Sequence, residues 1–261
     1  MPADLLAEAI LPRLSTMWLG RSYHCHGELS STNDEAVQLA KTGAPHGTVV
    51  VADGQTSGRG RVNRSWHSPP GENLYFSILL RPSWQASEPR PVSLAAGVGL
   101  AEALASQLPQ PPQLKWPNDL LYRGRKLAGI LIEGSMQLDR VEYVIVGIGV
   151  NVNTAEFPPE LADIAESLGR VAGQALDRGA VLAAILNSME PWLETLAEQG
   201  PEPIVAAWLK HAASLGQPIR VTDGTRETSG VMQGIDPDGA MRLQTPDGRE
   251  HRIVSGDVLV D

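Results

Sequence analysis

Residues 143–150, Tyr-Val-Ile-Val-Gly-Ile-Gly-Val, form a nearly all-apolar run. A strand with one wet face alternates apolar and polar residues, so an unbroken run of this kind predicts a strand at the buried centre of a sheet. Any fold for this chain has to cover that strand. The run ends in Asn151-Val152-Asn153, which brings polar groups to the end of a core strand.

The rest of the chain supplies the neighbours and the cover. Residues 21–29, 48–52 and 73–80 read as strands from their β-branched and alternating residues. Residues 114–121 read as two strands split by Pro117, and 122–124 as a hairpin turn leading into a strand over 125–133. Helical spacing appears over 4–11, 91–108, 177–196 and 203–213. In the third of these, Leu182, Ile185, Leu186, Met189 and Leu193 mark a core-facing stripe. Ser30-Ser31-Thr32-Asn33-Asp34-Glu35 is a helix start, with capping side chains followed by acids suited to the first turn. Gly97-Val98-Gly99 falls inside a helix and lacks a preceding strand, which points to close helix packing and not to a dinucleotide fingerprint. The expected fold is α/β, a mixed sheet with packed helices.

Beyond Gly216 the texture changes. Short alternating runs at 218–222, 230–235, 240–243, 251–254 and 258–260 are punctuated by Asp223-Gly224, Asp238-Gly239 and Asp247-Gly248. Asp-Gly pairs at such intervals mark hairpins, so a small all-β barrel of roughly 45 residues is expected. The chain then divides into residues 1–214 and 215–261.

The composition narrows the function classes. With 261 residues, 42% hydrophobic and 20% charged, the chain can bury a sizeable core. A net charge of -9 and a pI near 5.2 argue against broad nucleic-acid binding, whose footprint is a basic domain. A single cysteine, Cys25, excludes an internal disulfide, and neither a signal peptide nor an apolar span is expected, so the cytoplasm is the default location. No phosphate-loop, zinc-helix or nucleophile-elbow motif occurs. His24 and His26 sit two apart on a strand without a third ligand in view, and His46 and His67 have no evident partner.

Against this acidic background, residues 54–71 hold Arg59, Arg61, Arg64 and His67 and no acid. At its centre stands Gly58-Arg59-Gly60-Arg61-Val62-Asn63-Arg64-Ser65-Trp66. Arginine forks grip phosphate or carboxylate at two points, and the glycines are expected to turn through positive φ and bring the backbone close to a ligand. Trp66 adds a flat face for stacking. Strand ends and turns present Lys115, Asn118, Asp119, Lys126 and Asn151, cations and amides suited to a polyphosphate, with an acid suited to orienting Mg2+.

Together, Ser31-Thr32-Asn33, the stretch from Gln55 to Trp66, residues 115–120 and Gly124-Arg125-Lys126-Leu127-Ala128-Gly129-Ile130-Leu131 resemble the biotin protein ligases. The resemblance runs from about residue 29 to 153, with a compatible β tail. It implies a class II synthetase-like biotin/lipoate ligase catalytic domain followed by an SH3-like domain. It also implies a two-step reaction: biotin and MgATP give biotinyl-5′-AMP and pyrophosphate, and a lysine of a biotin carboxyl carrier protein, such as an acetyl-CoA carboxylase subunit, then takes the biotin.

By the same resemblance Ser31, Thr32 and Gln55 serve the ureido end of biotin, and Asn33 belongs to the biotin-binding set. Arg59, Gly60 and Arg61 hold the carboxylate and α-phosphate side, and Lys126 and Arg61 stabilise the reacting groups. Arg64, Trp66, Asn118, Asp119 and Asn151 belong to the nucleotide, with Asp119 near a magnesium ion held mainly by ATP phosphates. The chain departs from the family pattern at Asn63, where glycine is common, and at Ser65. Asparagine tolerates the left-handed region, so the turn is expected to survive. Fewer than 30 residues precede Ser30, so no helix-turn-helix domain or operator binding is expected. The nearest alternative is a lipoate or octanoate ligase of the same architecture, against which the polar set at Gln55 and Ser31-Thr32 counts. The arginine loop is expected to act as a lid that orders over the ligands.

Overall fold

A computed structural model of the chain describes residues 2–82, 90–137, 140–224 and 226–259. In chain order the elements are α1 (Ala7–Ile10), β1 (Tyr23–Leu29), α2 (Thr32–Lys41), β2 (Thr48–Gln55), β3 (Leu74–Leu80), α3 (Arg90–Ala105), β4 (Gln113–Lys115), β5 (Asp119–Tyr122), β6 (Arg125–Gln137) and β7 (Arg140–Val150). They are followed by α4 (Leu168–Ala172), α5 (Arg178–Gln199), α6 (Pro201–Lys210), β8 (Pro218–Thr222), β9 (Glu227–Ile235), β10 (Met241–Gln244), β11 (Glu250–Ile253) and β12 (Asp257–Leu259). The expected N-terminal helix over 4–11 is instead a four-residue α1 flanked by tight turns, interrupted where Leu6 is extended. Helix α4 gave no periodic signal in the sequence, being only five residues long. Val260, placed in the last expected strand, lies outside the described residues.

The first seven strands form one sheet in the order β1-β2-β3-β7-β6-β5-β4, with β7 in the middle as its apolar run demands. The β1–β2 pair is parallel and the other pairs are antiparallel. Even-numbered residues of β7, Val144, Val146, Ile148 and Val150, enter the large core beneath α3, α5 and α6. The opposite face carries Tyr143 and Ile145, which pack with Ala36 and Ala40 of α2. Further along that face stand Gly147 and Gly149, so the cover stops and a space opens. Glycine in a buried strand marks a close approach of other groups.

The helical glycines behave as expected. A Cβ on Gly99 would lie 2.7 Å from Met189 Cα, so this position lets α3 and α5 touch backbone to backbone. The turns of the second sheet also follow the sequence, with Gly224, Gly239 and Gly248 all at positive φ. That sheet is antiparallel, ordered β11-β10-β9-β8-β12, and its Ile219, Val221, Met232 and Leu243 join the large core. Trp116 Nε1 donates to the carbonyl of Gly239 at 3.0 Å, pinning the second sheet to the end of β4.

Candidate active site

A cavity of about 490 Å3 opens over the glycine half of the main sheet. Its walls come from the start of α2, the arginine loop, the β4–β5 break, β6, the end of β7, residues 157–165 and the start of β12. Every residue that the resemblance assigns to biotin or to the nucleotide lines it: Ser31, Thr32, Asn33, Gln55, Arg59, Gly60, Arg61, Arg64, Trp66, Asn118, Asp119, Lys126 and Asn151. His67 and Lys115 line it too.

One end of the cavity is a chain of polar groups. Ser31 caps α2 through its Oγ, which accepts from Asn33 N at 3.3 Å. The Thr32 backbone N–H donates to Gln55 Oε1 at 2.9 Å, and Gln55 Nε2 donates to Ser68 Oγ at 3.1 Å. Ser77 Oγ, on the buried strand β3, lies 2.7 Å from Thr32 Oγ1 and 2.6 Å from Asn33 Oδ1. Buried polar groups in a joined network are held in fixed orientations, which suits recognition of a small head group carrying both donors and acceptors.

The floor is made by absence of side chains. A Cβ on Gly149 would fall inside the Trp66 indole, and one on Gly129 would lie 3.0 Å from Trp66 Cζ3. A Cβ on Gly147 would collide with the Asn33 amide. Trp66 thus lies flat on the strands, with Lys126 Nζ 5.2 Å from its ring centre and its own Nε1 without a hydrogen-bond partner.

Lys126 reaches this floor through an irregularity in the sheet. Leu120 pairs with Ala128 but Leu121 pairs with Lys126, so Leu127 is an extra residue in β6. Such a bulge re-aims the residue beside it. Leu127 turns fully into the core, while Lys126 shares the cavity face with Asp119 and Gly129. Lys126 Nζ is 2.6 Å from Asp119 Oδ1.

The arginine loop is folded back on itself by a bridge between Arg59 and Ser65. Its left-handed residues are Val62 at φ 52° and Asn63 at φ 58°, so asparagine does hold the turn where glycine is common. Gly58 and Gly60, by contrast, are not at positive φ, which corrects the expectation from the sequence. Gly58 is needed for closeness instead, since a Cβ there would lie 2.7 Å from the Trp66 carbonyl oxygen.

The three arginines face different partners. Arg59 bonds Asp34 at 2.7 Å and Glu133 at 2.9 Å. Burial lowers its pKa, but the hydrogen bonds to these two carboxylates outweigh that and raise it. Arg61 donates to Asn118 Oδ1 at 3.3 Å and to the Gly256 carbonyl at 3.2 Å. Burial lowers its pKa, against the pull of Asp257 and Asp119. Arg64 pairs with Asp257.

Two amides brace the frame while lining it. Asn118 Nδ2 donates to the Ile130 carbonyl at 2.6 Å, and Asn151 Nδ2 donates to the carbonyls of Lys126 at 3.2 Å and Glu166 at 3.1 Å. Among the described residues no cluster of three His, Cys, Asp or Glu side chains is placed to hold a metal, so His24 and His26 do not form one. His46 stands apart from the cavity, its ring centre 4.3 Å from that of Trp18 with the two planes tilted by 41°.

Comparison with known proteins fits this geometry. Residues 28–151 match the Biotin/lipoate A/B protein ligase family, and residues 214–261 match the Biotin protein ligase C terminal domain. The chain is 38% identical to a biotin--[acetyl-CoA-carboxylase] ligase of Paracoccus denitrificans, over 84% of this chain and 93% of that protein. It is also 38% identical to the bifunctional ligase/repressor BirA of Bacillus subtilis, over 98% of this chain and 79% of that one. The chain belongs to the biotin protein ligase family. Among solved structures, the biotin protein ligase from Aquifex aeolicus in complex with biotin and ATP superposes with a TM-score of 0.79 at 32% identity, covering 92% of this chain and 98% of that one.

Several further residues shape the cavity beyond those the family resemblance implies. Ser77 was visible as the one aliphatic hydroxyl in Leu-Tyr-Phe-Ser-Ile-Leu-Leu, and Gly147 and Gly149 as paired gaps in an apolar strand. Glu133, which accepts from Asn33 Nδ2 at 2.6 Å as well as from Arg59, read only as a strand end. Asp257 carried no local signal at all, because it reaches the site from the second sheet.

Proposed function

We propose that this chain activates biotin with ATP and then transfers it to a lysine of a biotin carboxyl carrier protein. The observation that carries this reading is the single cavity in which a fixed donor–acceptor end, a glycine floor and Lys126 stand together beside Arg61 and Arg64. The polar end takes the ureido ring, and the apolar body of biotin takes the glycine floor once Trp66, which covers it in the empty protein, lifts with the loop. The carboxylate then points toward Lys126 and the arginines.

In the first step a biotin carboxylate oxygen attacks the α-phosphorus of ATP, the Pα–O bond to the β-phosphate breaks, and pyrophosphate leaves. The protein supplies no nucleophile. Its work is to align the two anions and offset their repulsion, which positioned cations do well in a site shielded from water. Lys126 holds the reacting carboxylate and phosphoryl oxygens, and Arg61 neutralises the phosphate side. Arg59, Gly60, Arg64, Trp66, Asn118 and Asn151 frame the ligands.

Asp119 is the acid at the phosphate end, already paired with Lys126. One carboxylate, outside any cluster of three His, Cys, Asp or Glu side chains among the described residues, fits a magnesium ion that arrives on the nucleotide's phosphates and keeps several waters. The ion supplies further charge neutralisation when bound.

In the second step the neutral amine of the carrier lysine attacks the acyl carbon of biotinyl-5′-AMP, the acyl C–O bond breaks, AMP leaves, and the amine loses a proton. We assign residues 1–214 to catalysis and 215–261 to a smaller domain that borders the site, and place the reaction in the cytoplasm, where a carboxylase subunit serves as carrier. Among the described residues no helix is long and apolar enough to cross a membrane.

The test is incubation with biotin, MgATP and a carrier domain, reading the carrier's mass. A biotinyl adduct is expected. No adduct, under conditions where an established ligase works, rejects the reading. Pyrophosphate exchange should respond to biotin and not to lipoate, since the lipoyl ring lacks the ureido donors and acceptor.

A further inference from the structure

Asp257 is the first residue of β12, in the second sheet, yet its carboxylate lines the cavity. It faces two of the loop's arginines at once. Arg64 Nη2 contacts Oδ2, and Arg61 Nη1 lies 3.7 Å from Oδ1 while also bonding the Gly256 carbonyl at 3.2 Å. The acid is rigidly mounted. Asp257 pairs with Thr222 of β8, and Gly256 sits at φ 148°, where a Cβ would lie 2.8 Å from Val221 Cγ1. Neither arginine has another carboxylate within bonding distance among the described contacts.

We propose that Asp257 is a charge placeholder: in the empty enzyme it holds Arg61 and Arg64 over the cavity where nucleotide phosphate binds, and the phosphates displace it. This rests on the biotin ligase reading and names a residue of the second sheet that sets nucleotide affinity.

The physical argument is competition. An arginine fork can satisfy a carboxylate or a phosphate with the same donors, and a dianionic phosphate is the stronger partner. Until the nucleotide arrives, Asp257 keeps two like charges aligned and the loop in place. Once it arrives, each arginine must leave the acid, and the acid's remaining charge faces the phosphates. Apparent affinity is therefore reduced by the fraction of molecules in which the arginines are free. Two partly exposed pairs of this kind amount to about a three- to tenfold effect.

The experiment uses the full chain with Asp257→Asn, which keeps the shape and removes the charge, and Asp257→Glu, which restores the charge. Two readouts are compared. Trypsin cleavage after Arg61 and Arg64 in the ligand-free protein needs no activity, and it should speed up in Asp257→Asn and return toward wild type in Asp257→Glu. In pyrophosphate exchange, Asp257→Asn should show a KM for ATP lowered about three- to tenfold, with the KM for biotin unchanged. A structural defect would instead lower kcat and raise both KM values. An unchanged or raised KM for ATP in Asp257→Asn, or unchanged cleavage, overturns the proposal. If the wild type shows no exchange at all, the biotin ligase reading fails while the cleavage comparison still decides whether Asp257 holds the loop.

Discussion

Lys126 Nζ and Asp119 Oδ1 stand 2.6 Å apart on the cavity face of two adjacent strands, although the sheet's plain alternation would have buried one of them. The ion pair fixes the position of the ammonium group without a ligand present, so little reorganisation remains to be done when the carboxylate and phosphate meet. Lys126→Ala is expected to lower kcat for biotin-dependent pyrophosphate exchange by about 10^2–10^3-fold, the usual effect of losing one positioned charge stabiliser. Activity within a few-fold of wild type would remove Lys126 from the mechanism.

Gly149 is part of the floor that Trp66 covers in the empty protein and that the body of biotin takes, so Gly149→Ala puts a methyl group into that space. Overpacking of this kind amounts to about 1–3 kcal/mol. The expected outcome is a KM for biotin raised about tenfold, measured by exchange kinetics, with the KM for ATP less affected.

Glu190 is a stability residue far from the chemistry. Its carboxylate is buried and accepts the backbone N–H groups of Met17 at 2.5 Å, Trp18 at 2.9 Å and Leu19 at 2.7 Å. Glu190→Ala leaves these donors without their acceptor, and urea unfolding should report a loss of about 3 kcal/mol. Steady-state KM values of the folded fraction are expected to stay at wild type.

His46 gives a pH dependence. Its Nδ1 accepts from Arg81 N at 2.9 Å, and burial, then the charge of Arg81, pull its pKa below the ordinary 6.5, with Glu190 opposing. The unfolded chain therefore binds the proton more readily than the folded one, and stability rises with pH across that window. The contribution is complete above about 6.5 and is lost as pH falls through the lower folded value. Denaturant unfolding from pH 7.5 down to pH 5 should show this decline in the wild type and a flatter profile in His46→Gln.

The arginine loop is fastened in the empty protein by largely exposed ion pairs, which open readily. Trypsin is expected to cut after Arg59, Arg61 or Arg64 in the free protein and to slow markedly with biotin and MgATP. Equal cleavage in both states would count against the loop as a lid.

Much of this was legible in the chain itself. The apolar run at 143–150 determined a central strand, the Asp-Gly pairs determined the hairpins of the second sheet, and the excess of arginine between Gly54 and Gly71 marked the site. These are local signals, because burial periodicity, turn geometry and charge density depend only on neighbours along the sequence. Tertiary structure decided what depends on distant partners. The one-residue bulge at Leu127 that aims Lys126 arises from strand pairing. The meeting of Gly149 with Trp66, of Ser77 with Thr32 and Asn33, and of Asp257 with Arg61 and Arg64 joins residues tens to nearly two hundred positions apart. No pattern along the chain encodes such contacts singly. They follow from how the two sheets close on each other around the same cavity.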